Sequence, residues 1–270
     1  MDLRLLALDA LRQADPSSKV LAAQQVAQAW DAGVRADTQI NHPQPPGVPG
    51  RPQLPRLVPA TAVPRRNINT LQGRAALLHA VTHIEFNAIN LALDAVWRFT
   101  QMPEEFYGDW IRVAAEEAHH FTLLNEHLNT LGHRYGDFDA HDGLWSMTRQ
   151  TAHDVVARMA LVPRTLEARG LDATPAMRER LLRAGDARAA DILDIILRDE
   201  IGHVAVGNRW YRWLCARDGL HPEQHYAQLC LQYRAPRLKG PFNVQARAQA
   251  GFTDCEMRTL VEGAATQPLG

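Results

Sequence analysis

Two five-residue stretches decide how this sequence is read: Glu116-Glu117-Ala118-His119-His120 and Asp199-Glu200-Ile201-Gly202-His203. Each places a glutamate three residues before a histidine. On an α-helix that spacing sets the two side chains about 60° apart around the axis and about 4.5 Å apart along it, so both can reach one metal ion. One Glu-x-x-His arises by chance in many helices; two copies carry more information. Each copy also has a carboxylate one helix upstream. Glu85, in His83-Ile84-Glu85-Phe86-Asn87-Ala88-Ile89, precedes Glu117 by 32 residues, and Glu167, in Leu161-Val162-Pro163-Arg164-Thr165-Leu166-Glu167, precedes Glu200 by 33. The pattern, written twice, is a Glu followed by Glu-x-x-His.

The neighbours of these residues say which way they face. Trp110, Ala114, Leu124, Leu128 and Leu131 recur at spacings of three and four, and Glu117 falls on that stripe with His120 one turn away. Glu85 lies among Leu78, Val81, Ala88, Ile89, Ala92 and Val96, and Glu200 among Leu193, Leu197, Val204 and Tyr211. The stripe of Glu167 is shorter, Val156, Ala160 and Pro163. If its helix stops at Gly170, the carboxylate sits near a helix C-terminus, where the macrodipole disfavours it. Four carboxylates in one apolar core repel one another, and each buried unpaired charge costs several kcal/mol. Two divalent cations balance the four negative charges, and the mixed oxygen and nitrogen donors suit iron or manganese. The candidate metal ligands are therefore Glu85, Glu117, His120, Glu167, Glu200 and His203. Bundles that hold two such metals use this ligand count, one Glu from each of two helices and Glu-x-x-His from each of the other two.

In these residues the sequence, over about 70–217, resembles the ferritin-like di-iron carboxylate superfamily. More narrowly, the segments beginning Ile84-Glu85-Phe86-Asn87, Leu161-Val162-Pro163-Arg164 and Asp199-Glu200-Ile201-Gly202-His203 resemble the bacterial family catalogued as domain of unknown function 455. That resemblance extends into a proline-rich arm and the tail segment Pro236-Arg237-Leu238-Lys239-Gly240-Pro241-Phe242-Asn243. It implies an all-α fold, a ferritin-like four-helix bundle with a di-metal site, and brings no established reaction. Superfamily relatives include oxygenases, oxidases, a tRNA hydroxylase and iron-storage cages. The resemblance also favours Glu117 and Glu200 as the carboxylates that bridge the two ions.

Around the bundle the chain divides in three. Residues 1–69 hold a helical pair, broken at Asp15-Pro16-Ser17-Ser18, and an arm in which eight of the sixteen prolines fall between Pro43 and Pro64, too dense for regular helix or central strand. Residues 70–218 hold the bundle, with helices expected at about 70–100, 103–131 ending at Gly132, 146–169 stopping at Gly170, and from an N-cap at Thr174-Pro175 to about 217, with a break at Gly185-Asp186. Residues 219–270 are expected to be an irregular C-terminal tail packing on the bundle. Across its 270 residues the chain is 46% hydrophobic and 22% charged, with 29 basic against 30 acidic side chains, so nothing in its net charge draws it to nucleic acid. Cys215, Cys230 and Cys255 are odd in number and form no C-x-x-C pair, which reads as reduced thiols in a cytoplasm. No apolar run is long enough for a signal peptide or a membrane span.

Other polar residues have plainer readings. His119 shares its face with Arg112, Thr122 and Glu126 and reads as solvated. Glu116 and Asp199 each lie four residues before a ligand histidine, where they either orient an imidazole or are rim charges. His79 and His83 read as core or interface histidines. Trp210, Tyr211 and Trp213 read as packing, and Tyr107 is undecided between packing and a relay. In the tail, Arg234, Arg237, Lys239 and Arg247 alternate with Tyr233 and Phe242. Arg237 and Lys239 are candidates for binding an anionic substrate, against a docked, solvated tail.

Three functions fit. The first is a di-metal, most simply di-iron, oxidase or hydroxylase that activates O₂ with an external electron donor and acts on an unidentified organic substrate. The second is a ferroxidase or iron-binding protein, for which the arm and tail are unneeded mass. The third is a metal-stabilised scaffold without catalysis.

Overall fold

In the computed structural model, which describes residues 2–265, every regular element is a helix. Met1 and residues 266–270, which belong to the expected outer segments, lie outside the described residues. Asp2 caps α1 (Leu3–Leu11) by accepting from the Arg4 amide, and Asp15 caps α2 (Pro16–Asp31) by accepting from the Ser18 amide, with Pro16 in the first turn where its missing N–H costs nothing. The arm that follows contains only a 3₁₀ turn at Ala60–Ala62 and one isolated β-bridge, between Leu57 and Ala140. Then come α3 (Leu71–Arg98), α4 (Glu104–Thr130), α5 (Gly143–Gln150), α6 (Val155–Leu161), a π-helical turn (Val162–Glu167), α7 (Ala168–Arg183), α8 (Ala187–Arg217), α9 (Pro222–Gln232), α10 (Val244–Gln249) and α11 (Asp254–Ala265). None of the described helices is long and apolar enough to cross a membrane.

The chain separates into two compact units, and the divide falls inside α5, α7 and α8. One runs up to Ser146 and includes Leu181–Ile192; the other holds Met147–Arg180 and the described residues from Leu193 onward. In the first, a five-residue connection returns α4 antiparallel to α3, and these two helices share the most extensive packing. The helical pair α1–α2 is built into this unit: Leu3, Ala7 and Leu11 are fully buried, as is Ala23 of α2. Two buried cations fasten it. Arg4 donates to the carbonyls of Trp97, Asp37 and Ile40, and Lys19 Nζ donates to the Leu11 carbonyl and to Asn90 Oδ1 of α3 at 2.7 and 2.5 Å. In the second unit Ala168 and Leu171 of α7 pack with Val204 of α8 and with Ala246 and Ala250 at α10.

Two expected boundaries are corrected. The helix expected over 146–169 is not continuous; the chain breaks after Gln150, restarts at Asp154, which caps α6 through the Ala157 amide, and widens into the π turn. The expected stop at Gly170 and restart at Thr174-Pro175 do not occur, because α7 runs through both to Arg183 and the break lies at Gly185, φ +81°. A helix-interior Gly costs about 1 kcal/mol and Pro about 3 kcal/mol. Leu171 and Leu181 are fully buried on the inner face of α7, and two buried leucines return about 3–6 kcal/mol, which carries the helix through. The tail is also less irregular than expected: its described residues include the helices α9, α10 and α11, and the longest stretch without regular structure is 233–243.

Candidate metal centre

The first unit assembles three of the six expected ligands. Leu78, Ala88, Ile89, Ala92 and Val96 are buried along α3, and Glu85 lies on the same face. Trp110, Ala114, Leu124 and Leu128 do the same for Glu117 and His120 on α4. The Phe86 and Phe121 rings pack at a tilt between the helices with centroids 5.7 Å apart, which fixes the register that sets residue 85 opposite residue 120. His120 Nδ1 then stands 3.3 Å from Glu85 Oε2 and 3.3 Å from Glu117 Oε2. Glu117 and His120 are fully buried and Glu85 nearly so.

The electrostatics of this cluster follow from its dryness. Burial, and then the neighbouring Glu117 charge, hold Glu85 well above the usual carboxylate range. Burial works against a proton on His120, but hydrogen bonding and charge from Glu117 and Glu85 overcome it and push the ring up to about 11. Two carboxylates and an imidazole whose donor atoms all lie within 4.8 Å of one another make a set that can hold a metal ion. Glu85 Oε2 is buried and meets His120 Nδ1 only at a long 3.3 Å, short of full hydrogen-bond geometry, which leaves it a lone pair to give. The residues fit a divalent cation bound through oxygen and nitrogen.

In the second unit Glu200 and His203 sit on one inner face of α8, with His203 Nδ1 3.9 Å from Glu200 Oε1, and both are buried. Glu167 is buried at the end of the π turn. Its expected place near a helix C-terminus is corrected, since α7 continues for sixteen residues beyond it and no macrodipole penalty applies. The flanking carboxylates part ways with the ligands. Glu116 is only half-buried, and Asp199 is engaged with the exposed Arg198 at 2.8 Å, a rim pair. His119 is exposed. Arg237 and Lys239 are exposed on the irregular 233–243 segment, while Arg247, which the sequence groups with them, is fully buried against Asp172 at 2.7 Å.

Some residues were not singled out by pattern. Tyr135, in the turn after α4, sits 2.8 Å from His83 Nδ1, and Asn87 Nδ2 donates to His83 Nε2 at 3.0 Å. Because the amide occupies Nε2 as a donor, Nδ1 carries the proton of the neutral ring and donates to the tyrosine oxygen. Burial lowers His83 to about 3 and His79 to about 4, so both are neutral packing groups. The arm closes over this layer. Arg51 pairs with Asp142 at 2.6 Å, and the space left among Arg51, Pro52, Pro55, Leu57, His83, Phe86 and Tyr135 is about 20 Å³, room for one water. Tyr107 donates to the Phe99 carbonyl at 2.8 Å, a structural contact.

A family model described as "Protein of unknown function (DUF455)" matches residues 12–258. An uncharacterized protein of Haemophilus influenzae is 54% identical over 218 residues, covering 78% of this chain and 76% of its own. No solved structure matches the chain.

Proposed function

The chain belongs to the DUF455 family, and we propose that it is a di-metal, most simply di-iron, oxidase or hydroxylase that activates O₂ to act on an organic substrate. The observation that carries this reading is the buried cluster of Glu85, Glu117 and His120, repeated in sequence as Glu167, Glu200 and His203. Four carboxylates and two neutral imidazoles match two divalent ions in charge and donor type. When bound, such ions supply electrons and an open position for O₂, with an external donor restoring the electrons.

The chain's own residues do the rest. Glu117 and Glu200, one turn before the two histidines, would hold the ions together with them, and the resemblance to ferritin-like sites favours these two as the shared carboxylates. Burial and the neighbouring Glu117 charge favour the protonated form of the Glu85 carboxyl in the metal-free protein, so metal uptake there would compete with protons. Glu85, Glu117 and His120 are themselves buried on α3 and α4, which keeps bulk water from the cluster. Arg237 and Lys239 remain the candidates for meeting an anionic substrate from the exposed 233–243 segment.

The test is anaerobic loading with Fe(II) followed by O₂, recording oxygen consumption and the near-ultraviolet and visible spectrum. Consumption that stops after about one O₂ per pair of Fe(II) and resumes with a reductant supports an oxidase or hydroxylase. Continued uptake of excess Fe(II) into a ferric core makes the protein a ferroxidase, and no O₂ consumption by the iron-loaded protein removes the redox reading.

A further inference from the structure

The C-terminal helices converge on the three residues that precede Glu167 by two to four positions. Pro163 opens the π turn: it has no N–H, and its ring crowds the carbonyl four residues back, so an α register cannot run through it undisturbed. Its ring is received by α8 only because residue 207 is glycine; a Cβ there would lie 2.5 Å from Pro163 Cβ. Arg164 is buried, with its guanidinium 4.8–5.3 Å from the ring centres of Tyr211, Tyr226 and Phe252. It donates to Asn208 Oδ1 and to Glu256 Oε1 of α11, the latter at 2.5 Å, and Arg212 holds the other Glu256 oxygen at 2.8 Å. Thr165 gives its hydroxyl proton to the Ala160 carbonyl, five residues back, at 2.7 Å. The Tyr226 hydroxyl, on α9, must then be the donor in its 2.9 Å contact with Thr165 Oγ1.

The geometry of a helix makes this convergence consequential. One extra residue in a turn rotates everything after it by about 100° relative to an unbroken α register. Glu167 is the last residue of the turn, so its direction depends on whether the wide turn is kept. We infer that α9 and α11 form a clamp, acting through Tyr226–Thr165 and Glu256–Arg164, that fixes the π turn and thereby points Glu167 at the metal it binds; this rests on the metal reading above. Tyr226, Glu256, Arg164 and Thr165 are positioning residues in this account, since none of them is a ligand.

Two mild variants test it in the full chain. Tyr226→Phe keeps the ring and removes one hydrogen bond; Glu256→Gln keeps the shape and removes one charge. Amide hydrogen exchange on metal-free protein reads the turn itself, and Mn(II) titration followed by electron paramagnetic resonance reads the ions. The expected result is exchange over 162–170 at least about tenfold faster in both variants, with α4 amides unchanged, and one of two Mn(II) ions bound at least about tenfold more weakly. Unchanged exchange over 162–170 overturns the clamp. Faster exchange with Mn(II) binding equal to wild type overturns its link to Glu167. Wild-type protein that binds no Mn(II) while the variants show the faster exchange leaves a clamped turn but refutes its role in metal binding, and the fault then lies with the metal reading.

Discussion

The α3–α4 cluster and the Glu167–Glu200–His203 set carry the same residue types at nearly the same spacing, yet they are built differently. Glu85 stands in the middle of a 28-residue regular helix, capped by Thr70 and buried on a long stripe. Its position follows from helical periodicity alone. Glu167 stands at the end of a π turn that departs from that periodicity and whose Thr165 and Arg164 are held by a tyrosine and a glutamate drawn from far along the chain. One carboxylate is placed by its own helix and the other by tertiary contacts. The first set inherits the rigidity of its helices, and the second depends on the C-terminal region.

The comparison can be broken most sharply at Glu117. Glu117→Ala should take bound metal from about two ions per chain to near zero, read by elemental analysis. Next in size is Arg247, fully buried against Asp172 and the Ala168 carbonyl. Arg247→Ala strands a buried carboxylate at α7 and should cost about 3–5 kcal/mol, with the loss seen first in hydrogen exchange of the second unit.

Glycines sharpen the contrast at smaller cost. Gly207→Ala drives a methyl into Pro163 and should cost about 1–3 kcal/mol, while Gly170→Ala, which meets open space, should gain about 0.5–1 kcal/mol. Thermal melts of the pair separate close packing at the π turn from simple helix propensity. In the first unit, burial, and then the charge of Arg51, lower Lys19 to about 7. The unfolded chain keeps that proton up to the ordinary lysine value of 10.5, so between these limits the unfolded state binds more protons and stability rises with pH. Below pH 7 both states are protonated and the full burial penalty remains. Lys19→Met should flatten this rise, which amounts to about 1 kcal/mol per pH unit or less, in denaturant midpoints taken from pH 7 to 10.

Much of this was legible from the sequence, and for a physical reason. Glu85, Glu117 and His120 lie on stripes whose period is that of an undistorted helix, so spacing alone places them, and the structure brings them within contact. The proline-rich arm was legible because eight prolines exclude helix wherever they fall. The π turn was not, because Pro163 falls inside what reads as one regular helix, while Gly170 and Thr174-Pro175 read locally as a stop and a restart and the buried leucines that override them act through partners distant in sequence. Arg164 and Arg247 look like any surface arginine until the rings and carboxylates that bury them are in place. The Tyr135–His83–Asn87 layer was hidden for the same reason: Tyr135 sits in a turn with no periodicity to assign it a face.

The central claim is that these buried glutamates and histidines exist to hold metal. Elemental analysis of protein purified without added metal, and again after anaerobic Fe(II) loading, tests it most directly when wild type and Glu117→Ala are run side by side. The account predicts about two ions per wild-type chain and a raised melting temperature on loading, with neither in the variant. Wild-type protein that retains no stoichiometric metal and melts at the same temperature with and without Fe(II) contradicts it.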